Sequence, residues 1–292
     1  MRIALTIAGS DSSGGAGIQA DLKTFAAFGL YGASAITAVT AQSTKGVDQV
    51  APLSADLVTA QIEAVAGDLA IDATKIGMLA NAAIVEAVAA AIQEMELPLV
   101  VVDPVLVSTS GQRLLDDDGV QALCAELIPL ARVVTPNITE AEALSGKRID
   151  SMDDARDAAR RIHDMGARAV IITGGHRNEN REPRTKNQNQ NQDRNRNQNA
   201  RTPNPEPRTP NPDIVDLLFD GHTFFESRVA RVESTNTHGT GCTYASAVAA
   251  GLALGRELPD AAARAQQYIA GAIAHAPGIG HGRGPLNHFW ER

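Results

Sequence analysis

The sequence predicts an α/β fold built on a mostly parallel central sheet, and three observations carry that expectation. Short continuous apolar runs, among them residues 99–102 and 169–172, have the character of strands buried on both faces. Each run ends in glycine or polar residues and leads into a segment with helical periodicity, which is the strand-then-helix alternation of a parallel sheet. Hydrophobic residues fill 43% of the 292 positions but aromatic ones only 3%, so the core has to be packed from alanine and branched aliphatics.

In chain order, residues 3–8 read as a buried strand running into stretch 9–17, too rich in glycine for regular structure, and a helix extends to about Phe28. The spacing fits neither a Walker loop, which needs Lys-Ser/Thr after its last glycine, nor a dinucleotide fingerprint. Close approach to a small substrate, around Gly9, is the better reading. Asp21 in the helix is most simply a solvated or capping carboxylate, and its nearness to the loop leaves a ligand role open. A second strand, 33–39, leads to Gln42, because polar residues just past strand ends face ligands in open α/β sheets. Its carboxamide sets an acceptor beside two donors and complements an aminopyrimidine edge; a surface glutamine in a loop is the plainer reading. Helical spacing follows over 54–68, then a short strand and loop over 73–78 ending at Met78, a core or pocket-wall residue. Asn81 then has the chemistry of an N-cap.

The run 99–105 ends in Asp103 and Val105, and the same edge rule gives Asp103 a metal or phosphate-water role. Residues 132–142 repeat the pattern and bring Asn137 and Glu140 to that edge, although Asn followed three residues later by Glu is also a capping box. A helix over 153–165 and a strand over 169–173 follow, and then the composition changes. Residues 177–212 are Asn, Gln, Arg and Pro with Ala200 their only aliphatic residue, which predicts a disordered insertion. Residues 214–221 and 223–225 read as a hairpin closing the same sheet, so one domain over 1–292, interrupted at 177–212, is expected. Two helices, ending near Gly255 and His275, and a loop-like tail complete the chain.

The formal charge of −8 is uneven: residues 177–212 hold eight Lys or Arg against four Asp or Glu, which leaves −12 on the remainder. An acidic body opposes non-specific binding to nucleic acid or anionic membrane, so neither is an expected partner. No apolar stretch approaches the ~18 residues of a membrane span, and the first apolar run is too short for a signal peptide. Cys124 and Cys242 lie far apart without metal-ligand spacing, which fits a reducing compartment, and a cytoplasmic protein is expected.

The stretch with the most chemistry is 237–243, where Gly239, Thr240, Gly241 and Cys242 open a helix of small residues. Glycines let the backbone approach a ligand, and the first amides of a helix have no partners within it, so the motif reads as an anion site. A glycine-rich helix entry with a buried cysteine is the structural alternative, weighed equally on the motif alone. A helix start lowers a thiol's pKa, which would make Cys242 partly thiolate and able to accept a proton. His238 stands four residues earlier but is not expected to aim its ring at that thiol, which argues against a cysteine-nucleophile hydrolase.

Four motifs in order, residues 6–21, 74–78, 135–137 and 238–242, resemble the hydroxymethylpyrimidine/phosphomethylpyrimidine kinases of thiamine biosynthesis. The resemblance spans nearly the whole chain outside the insertion. It implies a three-layer αβα ribokinase-like fold, ATP with Mg2+, and phosphorylation of 4-amino-5-hydroxymethyl-2-methylpyrimidine and then of its monophosphate. By position it implies Gln42 on the aminopyrimidine, a pocket lined by Gly9, Met78 and Val105 with Asp21 nearby, and phosphoryl stabilisation by the amides of residues 239–242. Asp103 and Glu140 would arrange magnesium through water, with Asn137 and Thr173 at the nucleotide phosphates. Thr173 departs from the family, many members of which carry lysine before the Gly-Gly-His element, so a cationic contact to the nucleotide is missing or comes from elsewhere. Cys242 stands where related sugar kinases have an aspartate base. A homodimer is allowed for, and the alternatives are a pyridoxal (vitamin B6) kinase or a non-catalytic pyrimidine-binding regulatory module.

Overall fold

The order of elements follows from where the chain can bury apolar surface on both sides of a sheet. In the computed structural model, which describes residues 1–108, 111–174 and 213–292, these are β1 (Ile3–Asp11), α1 (Gly17–Ala27), β2 (Tyr31–Ser43), β3 (Gly46–Pro52), α2 (Ala55–Ala66), β4 (Ala73–Ile76), α3 (Ala82–Glu94) and β5 (Val100–Val102). Then come α4 (Asp117–Ala122), β6 (Val133–Val134), α5 (Ile138–Ser145), α6 (Met152–His163), β7 (Val170–Ile172), β8 (Ile214–Phe219), β9 (Phe224–Val229), α7 (Thr240–Ala253) and α8 (Leu258–Ala274). The insertion expected at 177–212 lies outside the described residues.

The nine strands form one sheet in the order β3-β2-β1-β4-β5-β6-β7-β8-β9. From β2 through β7 all pairings are parallel, and antiparallel strands close both edges. Successive residues of one strand serve opposite layers, as the period of two requires. Val100 and Val102 pack with Val58, Ile62 and Val88 on the face covered by α2 to α6, while Val101 packs with Phe25, Val248 and Tyr268 on the face covered by α1, α7 and α8. This is the three-layer αβα arrangement, and the hairpin expected after residue 213 is present as β8 and β9.

Local chemistry sets the helix starts. Ser54 and Asn81 accept hydrogen bonds from the amides of Leu57 and Ile84, and α7 begins at Gly239, whose φ of +83° suits a residue without a Cβ. Two expectations fall short. β1 runs on through Gly9 to Asp11, and β2 reaches Ser43, so Gln42 lies in a strand rather than a loop. Parallel pairing with β1 and an antiparallel turn into β3 satisfy the backbone of these polar residues, which apolar patterning cannot register.

Among the described residues no helix is long and apolar enough to cross a membrane. The C-terminal segment instead packs on α7 and α8. His288 is buried, its Nε2 lies 3.0 Å from Thr243 Oγ1, and the Tyr268 hydroxyl donates to its carbonyl at 2.6 Å. Burial, with help from Lys23, pushes the imidazole down to about 4 from the ordinary 6.5. Below 6.5 the unfolded chain takes up a proton that the folded chain refuses, so stability falls as the pH drops through this window. Melting curves at pH 7 and pH 4.5 are expected to show a smaller acid loss for His288→Gln than for the parent, by on the order of 2 to 3 kcal/mol.

Candidate active site

The carboxyl ends of the parallel strands and the start of α7 surround one cleft of about 710 Å³. At its near wall, Asp11 ends β1 and organises the glycine stretch. Its buried carboxylate accepts from the amides of Ser13 (2.8 Å), Gly15 (3.2 Å) and Ala16 (2.8 Å) and from Ser13 Oγ (3.0 Å), and His238 Nε2 lies 2.8 Å away. Burial opposes its charge, but these donors, His238 foremost, outweigh burial and hold the carboxyl at about 2. A Cβ on Gly239 would stand 1.9 Å from the Gly15 carbonyl oxygen, so the two glycine segments interlock. Gly9 leaves room for Met78, whose Sδ would be 3.1 Å from a Cβ there.

Gln42 reaches the cleft through an irregularity in the β2–β3 register between Ala41 and Gln42. Ser12 Oγ both accepts from its amide at 2.8 Å and donates to its carbonyl at 2.9 Å. Val105, Gly9 and Met78 line the cleft beside it, as expected.

Beneath α1 and α7 lies a buried ionic cluster. Lys75, fully buried in β4, sits 3.0 Å from both oxygens of Asp21, which also accept from Thr6 Oγ1 at 2.7 Å and Ser246 Oγ at 2.6 Å. Asp103 Oδ2 is 3.9 Å from Lys75 Nζ and has no hydrogen-bond partner. Burial pushes the Asp103 carboxyl up to about 6, with Lys75 and the Cys242 thiol acting against it and Asp21 adding to it. Asp21 therefore does not line the substrate pocket; both its oxygens are spent on Lys75 and the two hydroxyls, and it supports the site from below.

At the far side Asn137 and Glu140 do form the capping box of α5: Asn137 Oδ1 accepts from the Glu140 amide at 3.0 Å, and Glu140 Oε2 from the Asn137 amide at 2.9 Å. Both nonetheless line the cleft. Burial, then Asp103, pushes Glu140 up to about 8. Thr173 lines the same side, with its amide donating to the Pro136 carbonyl at 2.9 Å. The next amide, of Gly174, donates to buried Asp216 at 2.8 Å.

At the start of α7, the amides of Gly241 and Cys242 have no acceptor among the described residues, and both residues line the cleft. Cys242 does not become the expected partial thiolate. Though partly open to the cleft, it is crowded closely enough that burial, with Asp103 and Asp21, outweighs Lys75 and pushes the thiol up to about 12. Reasoning from sequence gave no role at the site to Asp11, Lys75 or His238, whose ring turns to Asp11 and Gln42. Lys75 had a signal: a lone charge within the apolar strand 73–76 has to be paired once buried.

A parallel sheet with helices on both faces, a cleft at its carboxyl edge and free helix-start amides near buried carboxylates define a phosphotransferase of the ribokinase-like class. Residues 11–287 match the family model described as phosphomethylpyrimidine kinase, and the chain belongs to that family. It is 46% identical to a hydroxymethylpyrimidine/phosphomethylpyrimidine kinase of Rhizobium meliloti, covering 98% of this chain and 97% of that protein. A kinase of the same description from Bacillus subtilis is 44% identical, covering 98% and 94%. A solved Bacillus subtilis pyridoxal kinase in complex with ADP superposes with a TM-score of 0.80 at 36% identity, covering 99% of this chain and 97% of that one.

Removing one partner of a buried pair strands the other charge. Lys75→Met is expected to cost about 3 to 5 kcal/mol in urea unfolding. Adding Asp21→Asn should then cost less than the sum of the two single changes, because the stranded charge is gone.

Proposed function

We propose that this chain phosphorylates the hydroxymethyl group of 4-amino-5-hydroxymethyl-2-methylpyrimidine, and then the resulting monophosphate, with ATP as the donor. One observation carries the reading: a side-chain amide suited to a pyrimidine edge, Gln42, and the free amides of Gly241 and Cys242 share one cleft. Gln42 binds the ring nitrogen and exocyclic amine. Gly9, Met78 and Val105 hold the ring by shape and exclude water around it. The backbone of Gly239, Thr240, Gly241 and Cys242 stabilises charge on the transferring group, and Asn137 and Thr173 hold the nucleotide phosphates.

Magnesium suits the donor side of this cleft. Asp103 Oδ2 is buried without a hydrogen-bond partner, and two neighbouring acidic groups, Asp103 and Glu140, are both pushed towards protonation by burial, a cost that a cation between them would offset. Among the described residues no three His, Cys, Asp or Glu side chains gather into a ready metal site, as befits a cation held mainly by phosphates and water. Such a cation would supply charge neutralisation at the phosphates. Asp103 and Glu140 would hold it through its water shell, with Lys75, 3.9 Å from Asp103, helping to place that carboxylate.

With its thiol pushed to about 12, Cys242 holds a proton at neutral pH, so positioning by the backbone contributes more than base catalysis. Cys242→Ala is expected to lower turnover by about a hundredfold or less and to leave pyrimidine affinity within about twofold. Unchanged turnover would remove Cys242 from the chemistry. The reading as a whole is tested by ADP release from the purified chain with ATP-magnesium and, separately, hydroxymethylpyrimidine, its monophosphate and pyridoxal. Turnover is expected with both pyrimidines. Turnover with pyridoxal alone would move the assignment to a vitamin B6 kinase, and ligand binding without any turnover would favour a regulatory module.

A further inference from the structure

The Gln42 side chain is held at both ends, and the two contacts together constrain which way round its amide lies. The amide nitrogen of Gln42 stands 3.3 Å from His238 Nε2 and its oxygen 3.1 Å from Thr40 Oγ1. Oxygen and nitrogen of a carboxamide exchange places by a half-turn, so the hydrogen-bond network decides between them.

At the first end, His238 Nε2 lies 2.8 Å from the Asp11 carboxylate. The other donors to that carboxylate, together with His238, keep it ionised, at about 2, so Nε2 carries the proton and is a donor. An amide nitrogen there would set donor against donor. At the second end, Thr40 Oγ1 lies 2.9 Å from the Ser10 carbonyl, an acceptor only, so its single proton is given to Ser10 and its lone pairs face Gln42. An amide oxygen there would set acceptor against acceptor. With the amide turned the other way, its oxygen shares the His238 N–H with Asp11 in a weak three-centre contact and its nitrogen donates to Thr40, so neither end is mismatched. His238, Asp11 and Thr40 are all buried, while Gln42 is half-buried at the cleft, so water reaches the amide from the cleft side only.

We propose that His238, held by Asp11, and Thr40, held by the Ser10 carbonyl, act as positioning residues that lock the Gln42 amide with its oxygen on the His238 side, and thereby dictate which way an aminopyrimidine enters. This rests on the pyrimidine reading above. The exocyclic amine of the substrate is the donor and must meet the amide oxygen; the ring nitrogen is the acceptor and must meet the amide NH2. The hydroxymethyl carbon is attached next to the amine-bearing carbon, so it lies on the His238 side. His238 immediately precedes Gly239, and the lock therefore turns the acceptor hydroxyl towards the start of α7. A reversed amide would turn it towards Thr40.

A 4-oxo analogue, 5-hydroxymethyl-2-methylpyrimidin-4-one, reverses the donor and acceptor and tests the lock. The parent chain is expected to favour the 4-amino compound over the 4-oxo analogue by at least about a hundredfold in kcat/KM. In His238→Phe only the Thr40 end still holds the amide, and the ratio is expected to fall to about tenfold or less, with the analogue gaining relative to the substrate. Thr40→Val should lower the same ratio from the other end and serves if the first variant does not fold. A merely structural role would depress both compounds equally and leave the ratio standing. An unchanged ratio in the soluble variants, or no discrimination by the parent while it turns over the 4-amino compound, would overturn the lock. If the parent does not turn over the 4-amino compound at all, it is the proposed function that fails.

Discussion

The pair formed by Lys75 and Asp21 is the constraint on which the rest of the site depends. It ties β4 to α1, and through the hydroxyls of Thr6 and Ser246 it reaches β1 and α7. Charges removed so completely from water are tolerated only when each has partners, and here both Asp21 oxygens accept from donors 2.6 to 3.0 Å away. The pair thus fixes the height of the α7 start above the sheet, and with it the position of the Gly241 and Cys242 amides. Asp103, 3.9 Å from Lys75, keeps one buried oxygen without a hydrogen-bond partner.

Above this base, two glycine segments distant in sequence are fitted together by Asp11. Its carboxylate gathers the amides of Ser13, Gly15 and Ala16 on one side and His238 on the other. The pyrimidine end and the phosphoryl end of the cleft are thereby joined through one buried anion. A disturbance of either loop is felt at both, because the Gly15 carbonyl and Gly239 leave no space for an added Cβ.

Much of the architecture was legible in the chain because it rests on local or periodic rules. Residues 99–102 and 169–172 read as doubly buried strands and are β5 and β7, and Asn81 read as an N-cap and is one. The carboxylates at strand ends were also legible, since their place follows from the sheet's polarity; Asp103 and Glu140 both line the cleft. Asp21 misled because its spacing on α1 says that it lies near the glycine loop but not whether it points up into the cleft or down towards β4. Cys242 misled for a related reason. A helix start lowers a thiol's pKa, but burial raises it, with Asp103 just past β5 and Asp21 on α1 adding to the rise.

By itself the sequence determined the α/β class with its mostly parallel sheet, the glycine-cysteine helix entry and the residues able to carry chemistry, because these depend on periodicity, caps and residue type. Only the tertiary structure decided their pairing: Lys75 with Asp21, His238 with Asp11, and His238 and Thr40 with the two ends of the Gln42 amide. Those contacts join residues separated by as many as 227 positions. Hydrogen bonds and buried charges act over a few ångströms, and their partners become known only when the sheet has brought distant strands side by side.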